Sequence, residues 1–149
     1  MTFGRDLLVH SDPENCWAIV TDVPRLVGWV TILHEAKELT ALEHYEAVLM
    51  DRMGPFKLRA DLDIKVSEVE IGRRIRVRAS GEDRQVSSRI GVDATLTLEP
   101  QPDGQTMIRA TGSYEVVGRV ASLGAGMIKQ KATKIIDEFF VHAASELGG

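Results

Sequence analysis

Between Phe56 and Ser67 the chain alternates without a break: Phe56, Leu58, Ala60, Leu62, Ile64 and Val66 are apolar, and Lys57, Arg59, Asp61, Asp63, Lys65 and Ser67 are polar. A period of two sustained this long is a β-strand with one dry and one wet face. Such a strand belongs to a sheet that must be covered on its dry side. The same period returns in Ile75, Val77 and Ala79 against Arg74, Arg76 and Arg78. It returns again in Ile90 to Leu98 and in Ile108, Ala110, Gly112, Tyr114 and Val116. Gly54-Pro55, Gly72, the polar stretch Gly81 to Gln85, and Pro100 to Gly104 separate these runs as turns. Ala36 to Leu42 and Tyr45 to Arg52 flank Glu43-His44 as a further hairpin, and Arg5 to His10 reads as a first strand.

Two stretches break the period. After the first strand, Ser11-Asp12-Pro13-Glu14 supplies a capping residue, a first-turn proline and an acid at the positive end of a helix, followed by Cys16, Trp17, Ile19 and Val20 at helical spacing. A second short helix follows from Pro24 to Trp29. At the other end Ile128, Ala132, Ile135, Ile136, Phe139, Ala143 and Leu147 form one apolar stripe of a long helix. That helix must cover the dry face of the sheet, and a strongly curved antiparallel sheet gripping it is the natural solution.

The chain of 149 residues is expected to be one domain, 1–149. Its 44% hydrophobic and 27% charged content excludes the disordered and collagen-like classes. A net charge of -4 argues against nucleic acid as a partner. No apolar run reaches the length of a membrane span, and MTFGRDLLVHS lacks a signal-peptide pattern. With the single Cys16, this predicts a cytoplasmic location.

Inner positions at the middle of the strands are small: Ala60, Ala79, Ala94, and Ala110 with Gly112. Small residues on a concave sheet leave room beneath the helix for an apolar ligand; alternatively Trp17, Trp29, Phe139 and Phe140 fill that room. If it is hollow, the walls are Trp17, Trp29, Leu58, Leu62, Val77, Val92, Leu96 and Tyr114 with the small residues, and Ile128, Ala132, Ile135 and Phe139 from the helix. The dry parity carries almost no ionisable group, Tyr45 and Tyr114 being its main polar members, so no acid–base pair points inward. Asp61, Asp63 and Asp93 have the solvent parity, and Arg74, Arg76 and Arg78 form a ladder there that can pair with them. His10, His34, His44 and His142 show no metal-ligand spacing; His34 is a loop histidine or one at a cavity mouth. Cys16 reads as a buried core residue. Val120, Leu123 and Met127 fall off the helical stripe, with Gly118, Gly124 and Gly126 among them. The first turn should therefore be loose or kinked, either as a lid or docking patch or as a bend that returns these side chains to the core.

The order of elements, with Asp12-Pro13-Glu14, Trp17, Asp22, Met53-Gly54-Pro55-Phe56, the Gly81 loop, Thr106, Val117 to Gly124 and Phe139-Phe140, resembles the helix-grip superfamily of START lipid-transfer domains, birch-allergen-like proteins and polyketide cyclases. More narrowly it resembles the G-subunit family of carbon monoxide dehydrogenase. The resemblance implies an α+β, START-like helix-grip fold: a curved antiparallel sheet of about seven strands around a long C-terminal helix, with two short helices after the first strand. It also implies a non-catalytic accessory protein without a cofactor. Such a protein holds a lipid or isoprenoid quinone and works with a molybdenum hydroxylase partner, with peripheral membrane contact. In this superfamily the short helices support the entrance, which places the gate between Trp29 to Leu33 and Val120 to Met127. A cyclase- or dehydratase-like enzyme and an assembly factor with a filled core are the alternatives.

Overall fold

The computed structural model describes residues 1–149. The chain runs β1 (Thr2–Val9), α1 (Pro13–Val20), α2 (Val23–Trp29), β2 (Leu33–Thr40), β3 (His44–Met53), β4 (Phe56–Glu70), β5 (Arg74–Asp83), β6 (Ser88–Gln101), β7 (Gln105–Gly118) and α3 (Ala125–Leu147), with a short 3-10 turn over Arg119–Leu123. The seven strands form one sheet in the order β1-β7-β6-β5-β4-β3-β2, antiparallel throughout. This is the helix-grip architecture that the sequence pattern and the resemblance imply.

Each helix end has a local cause. The Asp12 carboxylate accepts from the Asn15 N–H at 2.7 Å and Pro13 opens α1. Gly148 ends α3 in the left-handed region, and its carbonyl accepts from the His10 N–H at 3.0 Å, tying the helix end to β1. The sheet curls where glycine lets strands approach. A Cβ on Gly112 would lie 2.2 Å from the Asp93 carbonyl oxygen, and one on Gly81 would lie 2.6 Å from Leu62 Cδ2. Both glycines sit inside strands, so the curvature is built into β5 and β7.

Several boundaries differ from expectation, and β1 begins at Thr2, ahead of Arg5. Gly81 to Asp83 continue β5, and the turn falls at residues 84–87. Polarity marks the segment as a loop, but Asp83 is buried, and its carboxylate accepts the N–H groups of Arg59 at 2.7 Å, Gln85 at 2.9 Å and Val86 at 3.4 Å. β2 begins at Leu33, ahead of Ala36. Val120 and Leu123 leave the stripe of α3 because they belong to the 3-10 turn, and Gly118 and Gly124 lie outside the helix altogether. Val120 is fully buried, so the bend returns it to the core.

The core is divided. One cluster joins Ala47, Leu49, Met53, Leu58, Ala60 and Leu62 of β3 and β4 to Val120 and Ile128. A second, at the far end of α3, joins Val9, Cys16, Leu98, Ile108, Phe140 and Leu147. A third holds Trp29, Val30 and Ala143 between α2 and α3. The α3 backbone runs closest to β1, α2 and the 3-10 turn and stands off from the central strands.

Candidate ligand cleft beneath the long helix

Strand register fixes what faces the helix. Tyr45, Ile64, Ala79, Val92 and Tyr114 lie in one row across the sheet, and Met1 continues it through hydrogen bonds with Tyr114 at 3.0 and 2.8 Å. Val66, Val77, Ala94, Gly112 and Phe3 make the next row; Ile75, Leu96, Ala110 and Arg5 make the one after. Val77, Ala79, Val92, Ala94, Leu96, Ala110, Gly112 and Tyr114 are all half-buried, as are Ala132, Ile135 and Phe139 above them. Inner-face residues that keep accessible surface face a space. The whole chain exposes 8461 Å², against roughly 7,500 Å² for a filled monomer of this mass.

Part of that space is a cleft of about 530 Å³ lined by Met1, Ala79, Val92, Tyr114, Val116 and Ile128 together with the polar Arg78, Asp93, Ser113 and Glu115. The volume is that of a small-molecule site. Of the two inner tyrosines, Tyr45 is buried and its hydroxyl accepts the Leu42 N–H at 2.8 Å. Tyr114 brings its phenol to the cleft, where it can hydrogen-bond a carbonyl or hydroxyl of a bound molecule.

Other expected wall residues lie elsewhere. Leu58, Ala60 and Leu62 are packed solid in the β3–β4 cluster. Trp29 is buried, edge-on to Phe139 at 5.3 Å and stacked on His142 at 6.1 Å, and Trp17 packs on the second cluster. The aromatics thus fill the α2 end of the interior while the middle stays open.

Of the expected gate residues, Val120, Leu33 and Leu123 meet at the first cluster, while Met127 is exposed on α3 and does not join them. The α2–β2 side of α3 is stitched: the Thr31 N–H and hydroxyl donate to Glu138 at 3.0 and 3.1 Å, Lys131 pairs with Asp51 at 3.1 Å, and Arg25 pairs with Glu146. On the β1 side a single ion pair, Arg5 with Asp137, spans from strand to helix, with the Arg5 guanidinium 5.7 Å from the Phe140 ring centre. Sequence reasoning missed Arg5 as a group that reaches α3, although it shares the parity of Leu7 and Val9. It also missed Asp51, which faces α3 across from Lys131.

The remaining singled-out residues have ordinary partners. His10 meets Gln105 at 2.9 Å, His44 meets Asp63, and His34 is exposed on β2. Cys16 is buried, and burial pushes its thiol pKa up, away from the reactive thiolate.

Comparison with known proteins settles the family. The profile of the carbon monoxide dehydrogenase G-subunit (CoxG) family matches residues 7–148. The chain belongs to the CoxG family. No curated protein sequence matches it. Among solved structures, a conserved protein from Geobacillus kaustophilus superposes with a TM-score of 0.86 at 21% identity, covering 99% of this chain and 95% of that one. A START superfamily protein from Mycobacterium smegmatis gives 0.76 at 12% identity, covering 99% and 97%. A protein from Thermus thermophilus gives 0.72 at 11% identity, with the same coverage of 99% and 97%. At these identities the likeness is one of fold. The profile gives the family, and the solved structures give the START-like fold.

Proposed function

We propose that this CoxG-family protein is a non-catalytic carrier that holds a lipid or isoprenoid quinone between its sheet and α3, and that it serves a carbon monoxide dehydrogenase-type molybdenum hydroxylase. The observation that carries the reading is the half-buried apolar floor of Ala79, Val92, Ala94, Ala110 and Gly112 beneath a helix that stands off from it. An apolar floor with one phenol at its edge suits a ligand that is greasy over most of its length and polar at one end. The partner follows from the family's description alone.

Native mass spectrometry of the protein from its own source, followed by solvent extraction, tests the first half. An adduct with the mass of a lipid or quinone is expected. A protein at its sequence mass that also takes up no fluorescent fatty acid and no quinone analogue would overturn the carrier. Co-purification with a molybdenum hydroxylase tests the second half.

A further inference from the structure

The inner parity of β5, β6 and β7 carries one charged side chain, Asp83, and its carboxylate is spent on backbone N–H groups. The strand beyond β7, β1 at the edge of the sheet, breaks this pattern with Arg5. Register places Arg5 opposite Ala110, which stands opposite Leu96; Phe3 stands opposite Gly112, which stands opposite Ala94. The floor of small residues beneath α3 therefore runs up to the foot of Arg5.

Arg5 is half exposed at that edge and uses little of its hydrogen-bonding capacity. Its Nη1 donates to the Asp137 carboxylate, and its guanidinium stands 5.7 Å from the Phe140 ring centre, which fixes its place. The other guanidinium N–H groups donate to nothing in the chain. The flank of α3 that carries Asp137 is polar, with Lys129, Gln130, Thr133 and Lys134 lining a hollow beside the helix. Neither Lys129 nor Lys134 has a carboxylate within ion-pairing distance. The Met1 ammonium adds a further positive charge at the start of the same strand, donating to the Tyr114 carbonyl at 3.0 Å. Of the neighbouring acids, Asp6 pairs with Arg109, and Glu115 has the outer parity. Four cations thus meet one inward carboxylate, Asp137, along an edge where the interior is open. An exposed ion pair of the Arg5–Asp137 kind adds little to stability, so its exchange for another carboxylate costs little. A guanidinium fork matches a carboxylate, and Asp137 shows that one fits here.

We propose that the β1 edge of the space beneath α3 receives a carboxylate: the ligand is a long apolar chain that lies on Ala94, Ala110 and Gly112 and ends in a carboxylate, which takes the place of Asp137 at the Arg5 guanidinium. Resting on the carrier reading, this narrows its ligand to a lipid of the fatty-acid class.

Displacement of the neutral dye 1-N-phenylnaphthylamine from the full chain by dodecanoate and by dodecan-1-ol tests it. Dodecanoate is expected to bind about tenfold more tightly than the alcohol, the gain from one hydrogen bond to a charged group. Arg5→Gln should bring dodecanoate down to the affinity of the alcohol and leave the alcohol unchanged. Asp137→Asn frees the guanidinium, so it should tighten dodecanoate several-fold and again leave the alcohol unchanged; a pair that merely held the fold would move both ligands alike. Arg74→Gln, on the outer face, should alter neither. Circular dichroism checks the fold of each variant, and Asp137→Asn reads the same site should Arg5→Gln fail to fold. Equal affinities in the wild type, a carboxylate preference that survives in folded Arg5→Gln, or no gain in folded Asp137→Asn would each overturn the proposal. Dye and alcohol that bind while dodecanoate binds no tighter leave the carrier reading standing without it. Wild type that takes up neither dye, alcohol nor dodecanoate ends the carrier reading and this proposal together.

Discussion

Gly124 and Gly126 stand two residues apart and differ in what they tolerate. Gly124 has φ 95° and ψ 151°, a conformation that L side chains avoid, and it sets the angle between the 3-10 turn and α3. Gly126 lies inside α3, and a Cβ there meets nothing within 4 Å. Gly124→Ala should therefore destabilise the fold by about 1–3 kcal/mol. Gly126→Ala should stabilise it by up to about 1 kcal/mol, through helix propensity and a less free unfolded chain. Urea midpoints of the two single variants check the sign. The sequence pattern pools Gly118, Gly124 and Gly126 as one loose helical turn, because glycine content is visible in a sequence and φ is not. A Cβ on Gly118 would lie 2.0 Å from the Ser87 carbonyl oxygen, so that glycine serves a close backbone crossing. Asp83 is illegible for a related reason. A carboxylate that collects backbone N–H groups looks, in sequence, like any other loop acid.

At the scale of elements, period-two alternation identifies the strands and their faces, and register is what it leaves open. The ladder Arg74, Arg76 and Arg78 is expected to meet Asp61, Asp63 or Asp93, and only Asp93 is a partner. Asp63 lies opposite Ser80 and Asp61 opposite Glu82. A register shift between Ser67 and Glu70 instead brings Glu68 to Arg74 and Arg76. Arg76 holds Asp93 with two hydrogen bonds, at 2.9 and 2.7 Å. The Arg76 hydrogen bond keeps the Asp93 carboxyl below its ordinary 3.8; desolvation is the next effect in size and opposes it, and the charges of Arg76 and Arg78 add to the lowering. A carboxyl whose folded pKa is depressed adds stability above its unfolded pKa and loses it as pH falls through the folded value. The Asp93 contribution is therefore complete above about pH 4 and fades below it. Asp93→Asn should flatten the acid limb of a stability–pH profile below that point, as measured by urea unfolding at stepped pH. An acid limb identical to wild type would show that the pair adds nothing, as holds for many exposed pairs.

At the scale of the whole molecule, the sheet holds α3 at its two ends and along one flank, and the middle of the sheet is left without a filling. The stitched flank combines Thr31–Glu138, Arg25–Glu146 and a largely buried pair, Asp51 and Lys131, whose side chains are 12% and 29% exposed. The other flank has Arg5–Asp137, with side chains 41% and 47% exposed, a pair of the kind worth about 0–1 kcal/mol. On the β1 side it is therefore burial of Val9, Phe140 and Leu147, more than ion pairing, that holds the helix, and the sequence could not show this because it depends on which flank of α3 each partner reaches. What the sequence did show was the run of small residues on the dry parity, and the structure places Ala94 in the row between Val77 and Gly112, half-buried below α3. A phenylalanine there would project into the space where a ligand is proposed to lie. In a filled core the added volume costs about 1–3 kcal/mol in strain; in an open one the ring gains burial instead. Ala94→Phe should thus keep or raise the thermal midpoint while reducing uptake of a fluorescent fatty acid or quinone analogue at least tenfold. Thermal unfolding and a binding titration on the same preparation read both quantities. A variant that unfolds early would show the interior already full beneath α3, and one that folds and binds as wild type would move the ligand out from beneath the helix.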